Sequence, residues 1–205
     1  MWIAPDLGAA NIWIFRIYHD VSFALGAKAA ICRRVAPQLA LDRPAALVLN
    51  APMTQREDTD YMALAFAQAE LAAKRDEVPI GAVLVDSLTG KILAADHNRV
   101  EEWQDPTAHA EMLVIKRAAQ ARGEKRLPEA DLFVTLEPCP MCATAIAFAR
   151  LRRVVYGASD PKGGGIEHGP RIFTQPTCHH RPQVFGGMET ERSAEMLRRF
   201  FRAKR

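Results

Sequence analysis

The sequence predicts an α/β fold, because helical and strand patterns alternate along most of its length. Apolar side chains recur at helical spacing over 62–69, whereas 78–85 is a short apolar run typical of a buried strand. The turn signal at 87–90 joins this run to a second strand, 91–96, as in a β-hairpin. Beyond the hairpin, alternating helices and strands favour a largely parallel second half of the sheet.

The next elements follow from equally local patterns. The first helix ends in the charged run 74–77, and a later helix begins near His109. Residues 131–136 are predicted to form the third strand, Cys139 opens the helix after it, and 154–157 are predicted to form the fourth strand.

The C-terminal part is predicted to be a loop followed by one helix. Glycines cluster at both ends of 161–187, which is typical of a loop. Helical spacing returns over 190–203. This helix carries an apolar stripe that we expect to pack against the core, formed by Met196, Leu197, Phe200 and Phe201.

Residues 1–53 differ from the rest of the chain. They mix aromatic side chains, arginines and prolines without a settled period or capping signals. They also fit neither a secretory signal nor a transit peptide, since aspartates are present and Ser22 is the only serine. We expect residues 1–53 to be an N-terminal extension that is disordered or reflects a start wrongly placed before Met53, and 54–205 to be the folded domain.

Composition limits the class of protein. At 205 residues and 49% hydrophobic, the chain is long enough for one well-packed domain. A net charge of +3 is too small to indicate nucleic-acid binding by itself. Basic residues nevertheless cluster in two places, which are either solvated faces or contacts for phosphate groups. The clusters are Arg150, Arg152 and Arg153, and Arg198, Arg199, Arg202, Lys204 and Arg205.

Cysteine usage and hydropathy indicate a location. Of the four cysteines, Cys32 and Cys178 have no evident partner, which fits a reducing compartment. No run of about 18 apolar residues could span a bilayer. We therefore expect a cytoplasmic protein with no membrane contact.

The strongest functional signal is a set of metal-ligand residues. His109 is followed by Glu111, and Pro138-Cys139-Pro140-Met141-Cys142 comes shortly afterwards. One imidazole and two thiolates at helix starts suit zinc, and a fourth position left for water is typical of a catalytic site. Glu111 then provides the acid or base that hydrolysis needs beside this water.

Other interpretations of these residues exist. A lone C-x-x-C motif is often redox-active or structural. The H-x-E motif together with P-C-x-x-C, however, resembles the signature of the zinc-dependent nucleobase deaminases. The run Cys178-His179-His180 offers further metal-binding side chains. Because no additional carboxylate or cysteine accompanies it, we expect a polar loop there.

Beyond the metal motif, residues 62–205 resemble the bacterial tRNA adenosine deaminases of the cytidine deaminase superfamily. The sequence segments that carry this resemblance are 77–83, 98–99, 105–111, 134–139, 153–158 and 200–202. The metal motif is common to the superfamily, whereas the phrases around it and the terminal Phe-Phe-Arg favour the tRNA enzymes.

The resemblance implies a three-layer, cytidine-deaminase-like sandwich with a mixed five-stranded sheet flanked by helices. It also implies a homodimer with one Zn²⁺ per subunit. The activity that it implies is that of a hydrolase, which converts adenosine to inosine at wobble position 34 of an arginine tRNA anticodon. In such an enzyme a zinc-activated water attacks C6 of adenine and Glu111 moves the protons. Asn98 and Ala110 would hold the target nucleoside. The expected contacts with the anticodon stem-loop are Lys162, Arg198, Phe201 and Arg202.

One segment departs from the family pattern, and two other functions stay open. Many members continue after Gly164 with a Ser-Leu-Met helix, whereas 165–170 here read Gly-Ile-Glu-His-Gly-Pro. The first alternative is a deaminase of free nucleobases or nucleosides such as guanine, cytosine or adenosine, because such enzymes share the metal motif. The second is a non-catalytic RNA-binding subunit with structural zinc, which would leave Glu111 without a role.

Overall fold

The computed structural model describes residues 53–204. Its helices and strands alternate as the sequence predicts. The elements are α1 (Met53–Lys74), β1 (Gly81–Asp86), β2 (Ile92–His97), α2 (Val100–Trp103), α3 (Ala110–Arg122), β3 (Ala130–Leu136), α4 (Pro140–Ala149), β4 (Arg153–Ala158), a 3-10 turn (Ile172–Thr174), β5 (Gln183–Phe185) and α5 (Thr190–Ala203). No helix between residues 53 and 204 combines the length and apolarity that crossing a bilayer requires.

The strands form one mixed sheet in the order β2-β1-β3-β4-β5. The hairpin strand β1 is antiparallel to both β2 and β3. By contrast, β3, β4 and β5 run parallel to one another. Because α4 connects β3 to β4, it starts at the carboxyl edge of β3. The predicted five-stranded sheet with a parallel second half is confirmed.

Helices cover both faces of the sheet, which makes three layers. One core joins α3 and α4 to side chains such as Leu84, Leu132 and Val154. The opposite core joins α1 and α5 to Val83, Phe133 and other alternate positions of the same strands. This alternation is the period of two expected for a sheet with both faces buried.

A glycine sets how closely α1 lies on the sheet. A Cβ at Gly81 would lie 2.1 Å from the carbonyl oxygen of Ala65, so no larger residue fits between helix and strand. The helix ends at Lys74, and the chain turns through Asp76, which has a positive φ of 65°. The start of β1 therefore lies directly against α1, next to the turn that joins them.

The structure corrects several expectations of detail. The strand predicted for 78–85 begins only at Gly81, since the chain between α1 and β1 must first turn back onto the sheet. The predicted loop 161–187 contains a 3-10 turn and the short edge strand β5. Helix α2 was not anticipated because it is only four residues long. The proposed extension lies outside the described residues except for Met53.

Candidate metal centre and substrate pocket

Two helix starts bring the three predicted ligands together. His109 is the residue before the first turn of α3, and Cys139 occupies the same position before α4. The next ligand, Cys142, lies within the first turn of α4 and is fully buried. The Nδ1 atom of His109 lies 3.7 Å from the sulfur of Cys139 and 3.6 Å from that of Cys142. Among the described residues, this is the group of histidine, cysteine and acidic side chains that could hold a metal ion.

The spacing of these atoms fits a tetrahedral ion. With zinc–sulfur bonds of about 2.3 Å and zinc–nitrogen bonds of about 2.1 Å, tetrahedral angles separate sulfur from nitrogen by roughly 3.6 Å. The observed distances of 3.6 and 3.7 Å match this value. The donor set, its spacing and its burial therefore suit a metal with three protein ligands.

The two thiols have opposite proton affinities. A hydrogen bond from Cys142, together with the helix start, lowers the pKa of Cys139 to about 4 even though burial opposes it. The same hydrogen bond, followed by burial, raises the pKa of Cys142 far above its ordinary value. Binding of a metal cation would require both sulfurs to be thiolates.

Glu111 lies beside the ligands without being one of them. Its side chain is buried within the first turn of α3, and its Oε2 atom has no hydrogen-bond partner among the described residues. Burial raises the pKa of this carboxyl above its ordinary value. A carboxyl that is buried and proton-binding near a metal site can transfer protons.

Asn98 connects the end of β2 to the metal-ligand helix. Its Oδ1 atom accepts a hydrogen bond of 3.0 Å from the backbone N–H of Ala110. The carboxamide is buried, and this contact leaves its Nδ2 group to donate to a ligand. Asn98 and Ala110, both predicted from the resemblance, therefore contact each other at the start of α3.

A cavity of about 430 Å³ opens between these residues and the C-terminal helix. Asn98 and His109 form its inner side. Its other walls come from the α1–β1 connection, from α2 and from the end of α5. They are formed by Asp76, Glu77, Val78, Ile80, Val100, Glu101, Phe200, Phe201 and Lys204. The volume and the mixed lining suit a small aromatic ligand.

The end of α5 forms one wall through aromatic contacts. Phe200 and Phe201 pack edge to face with their ring centroids 5.3 Å apart. Lys204 lies 5.1 Å from the centre of the Phe200 ring and 2.6 Å from the carboxylate of Asp76 at the end of α1. The expectation that both phenylalanines pack in the core is wrong: Phe200 is only half-buried and belongs to neither core, Phe201 is 49% exposed, and both line the cavity.

The other predicted RNA contacts lie outside the cavity lining. Arg198 and Arg202 are exposed and pair with Glu195 on the same helix at 3.0 and 2.8 Å. Lys162 is exposed in the loop after β4, where its backbone N–H donates to Asp160. Of the four predicted contacts, the structure brings only Phe201 to the cavity.

Sequence reasoning missed the buried acids that support the cavity. Glu77 accepts a hydrogen bond of 2.8 Å from the backbone N–H of Glu102 and so holds α2 in place. Asp96 pairs with Arg99 at 3.0 Å and also with Arg117. In the sequence, both acids lie next to the ends of predicted strands, which could have marked them as candidates for a structural role. That their charges are buried is visible only in the folded structure.

The run Cys178-His179-His180 does not converge on a metal. The Cys178 thiol donates to the backbone carbonyl of His180 at 3.1 Å, and His180 contacts the carbonyl of Leu151 through Nε2 at 2.6 Å. This agrees with the expected polar loop.

Comparisons with the sequences of known proteins identify deaminases as relatives of this chain. The sequence model of MafB19-like deaminases matches residues 56–205. The tRNA-specific adenosine deaminase of Agrobacterium fabrum is 59% identical over 149 residues, which are 73% of this chain and 97% of that protein. The tRNA-specific adenosine deaminase of Bacillus subtilis is 46% identical over 75% of this chain and 92% of that protein.

Solved structures with the same fold are also deaminases. A structure from a study of A-to-I editing by tRNA:A34 deaminases at the wobble position of transfer RNA has a TM-score of 0.66 and 57% identity, covering 68% of this chain and 99% of that chain. A guanine deaminase from Nitrosomonas europaea has a TM-score of 0.57 at 22% identity, covering 85% of this chain and 98% of that chain, and shares the fold alone. The chain therefore belongs to the MafB19-like deaminase family and, within it, to the tRNA-specific adenosine deaminases.

Proposed function

We propose that this chain is a zinc-dependent hydrolase that deaminates adenosine to inosine at wobble position 34 of a tRNA anticodon. The observation that carries the proposal is the convergence of His109, Cys139 and Cys142 beside the buried carboxyl group of Glu111. The relatives named tRNA-specific adenosine deaminase support the substrate.

His109, Cys139 and Cys142 would hold the zinc, with the helix starts favouring the thiolates. Zinc, when bound, supplies a Lewis acid that lowers the pKa of a water molecule toward neutrality. Of the three ligands, Cys142 is buried, whereas His109 and Cys139 are partly exposed.

Glu111 performs the proton transfers. It takes a proton from the attacking water as the oxygen bonds to C6 of adenine, and it delivers that proton to the neighbouring ring nitrogen. Glu111 then moves the remaining proton of the new C6 hydroxyl to the exocyclic amine, so that the C6 carbonyl of inosine forms as the carbon–nitrogen bond breaks and ammonia leaves. The raised pKa of Glu111, caused by burial, suits a group that must accept and return a proton.

Asn98 and the aromatic wall bind the base. The free Nδ2 group of Asn98 can donate to the nucleoside, while its Oδ1 is held by Ala110. An adenine in a tRNA loop must leave its stack to enter a pocket, and aromatic side chains such as Phe201 offset part of that cost by stacking.

The test is a comparison of substrates with the zinc-loaded, full-length protein. An arginine tRNA transcript with adenosine at position 34 should acquire inosine, read as an A-to-G change in its complementary DNA. The same transcript with guanosine at 34 is the control for position. Deamination of free guanine, cytosine or adenosine without activity on the transcript would instead support the free-base alternative.

We also propose that the enzyme is cytoplasmic, as its cysteine usage indicates, and that it is a homodimer, as the resemblance implies. An exposed aromatic side chain on α4, that of Phe148, is 77% exposed and offers an apolar surface to a second subunit. Light scattering after size-exclusion chromatography distinguishes a dimer from a monomer.

A further inference from the structure

A buried carboxylate next to the metal ligands gathers a loop around itself. The side chain of Glu137, two residues before Cys139, is 0% exposed. Its Oε1 atom accepts hydrogen bonds of 3.2, 2.8 and 3.0 Å from three successive backbone N–H groups, those of Ile166, Glu167 and His168. Its Oε2 atom accepts one from the backbone of Asp160 at 2.9 Å. All four donors belong to the loop that follows β4.

His168 completes this arrangement from the same loop. Its Nδ1 atom lies 2.7 Å from Oε2 of Glu137, while its side chain is 34% exposed. The Glu137 carboxylate is thus surrounded by four backbone N–H donors and one ring nitrogen, all from this loop.

The loop also contacts the ligand segment through its glycines. The N–H of Gly165 donates to the carbonyl of Pro138 at 2.8 Å. A Cβ at Gly165 would lie 2.5 Å from the backbone nitrogen of Pro140, and one at Gly164 would lie 2.5 Å from the carboxylate of Glu137. Loop and ligand segment thus touch backbone to backbone on both sides of Cys139.

We propose that Glu137 and His168 form a latch in which His168 acts as a positioning residue that fixes Cys139 at the metal site. The imidazole donates to the carboxylate, the carboxylate holds the loop, and the loop restrains the backbone from Pro138 to Pro140. Without the His168 hydrogen bond, Cys139 gains freedom to move away from His109 and Cys142. This inference rests on the proposed role of those three residues as metal ligands.

Metal release from the full-length, zinc-loaded protein tests the latch. The rate of zinc transfer to a chromogenic chelator at neutral pH is measured for His168→Leu, which removes the donor, and for His168→Asn, whose side-chain amide can donate from nearly the same position. Supporting interactions of this kind typically change metal affinity by about 10- to 100-fold. We expect His168→Leu to release zinc roughly tenfold faster than wild type, and His168→Asn to be close to wild type.

The matched control is His179→Leu, which removes an exposed imidazole from the same C-terminal segment and should leave the release rate unchanged. His168→Ala is the second variant in case leucine disturbs folding, because a smaller side chain cannot clash with the loop. If His168→Leu and His168→Ala both release zinc at the wild-type rate, the latch is overturned. It is also overturned if His168→Asn releases zinc as fast as His168→Leu. A wild-type protein that takes up no zinc would instead overturn the ligand assignment itself.

Discussion

Glu111 is the residue on which the proposed chemistry most directly depends. We expect Glu111→Gln to retain zinc and the fold but to lose deamination by about 10²-fold or more, because an amide cannot accept and return a proton. Single-turnover measurements of inosine formation give the rate, and elemental analysis gives the zinc content. Near-wild-type activity in a zinc-loaded variant would remove Glu111 from the mechanism.

His97, immediately before Asn98, predicts a pH effect on stability. Its ring is buried, with Nε2 accepting from Arg75 at 2.8 Å and Nδ1 donating to Gln68 at 3.1 Å. Burial first, and then the charge of Arg99, lowers its pKa below the ordinary 6.5, although Asp96 acts in the opposite direction. The charged groups around the ring are Arg75, Asp96, Arg99 and Glu102.

The sign follows from proton uptake. Below about pH 6.5 the unfolded chain protonates this imidazole while the folded chain keeps it neutral, so acid favours unfolding. We expect His97→Gln, which can still accept from Arg75, to flatten the fall in the free energy of unfolding as the pH drops below about 6.5. Denaturant titrations at a series of pH values measure the slope. A variant with the wild-type pH dependence would show that another group causes the loss.

Among the elements, those that carry the ligands could be predicted from local sequence, whereas those that build the cavity wall could not. The starts of α3 and α4, predicted near His109 and at Cys139, follow from signals such as helical spacing that act within a few residues. Strand β5 has only three residues and depends on pairing with β4, so no local pattern marks it. The position of Phe201 likewise depends on where α5 docks.

The end of α5 predicts a specific loss of substrate binding. Removing an aromatic group that stacks on a base costs about 1 to 3 kcal/mol, so Phe201→Ala should raise the KM for tRNA roughly 5- to 150-fold. We expect Phe201→Tyr to keep most of the affinity. Steady-state kinetics provide the measurement, with Leu88→Ala at the hairpin as the exposed apolar control. An unchanged KM in Phe201→Ala would exclude stacking at this position.

The arginines of α5 predict a change in salt dependence. Arg198 and Arg202 pair with Glu195, but exposed pairs of this kind are weak and can yield to phosphate. Replacing both arginines by glutamine should reduce the salt slope of tRNA affinity by about 0.7 to 0.9 for each phosphate that the variant no longer neutralises. The double replacement of Lys91 and Lys125 by glutamine makes the same charge change elsewhere. Equal slopes in the two variants would mean that α5 has no particular role.

On the scale of the whole molecule, residues 53–204 contain a complete sheet, the ligands and the cavity. The Agrobacterium fabrum relative aligns over 97% of its own length to 73% of this chain. We therefore expect deletion of residues 1–52 to leave deamination and the melting temperature nearly unchanged. Thermal unfolding and inosine assays of the truncated and full-length proteins provide the comparison. A truncated protein that loses either property would show that the extension is a working part of the enzyme.

The contact between Lys204 and Asp76 has a consequence for the order of folding. It joins residues 128 positions apart, whereas the contact between His109 and Cys139 spans only 30. Closing the longer loop costs more chain entropy, and exposed contacts near a chain end, such as this one, open at low free energy. During refolding, the chain should thus acquire its affinity for zinc before it acquires its affinity for tRNA, and mild denaturant should remove the two in the reverse order.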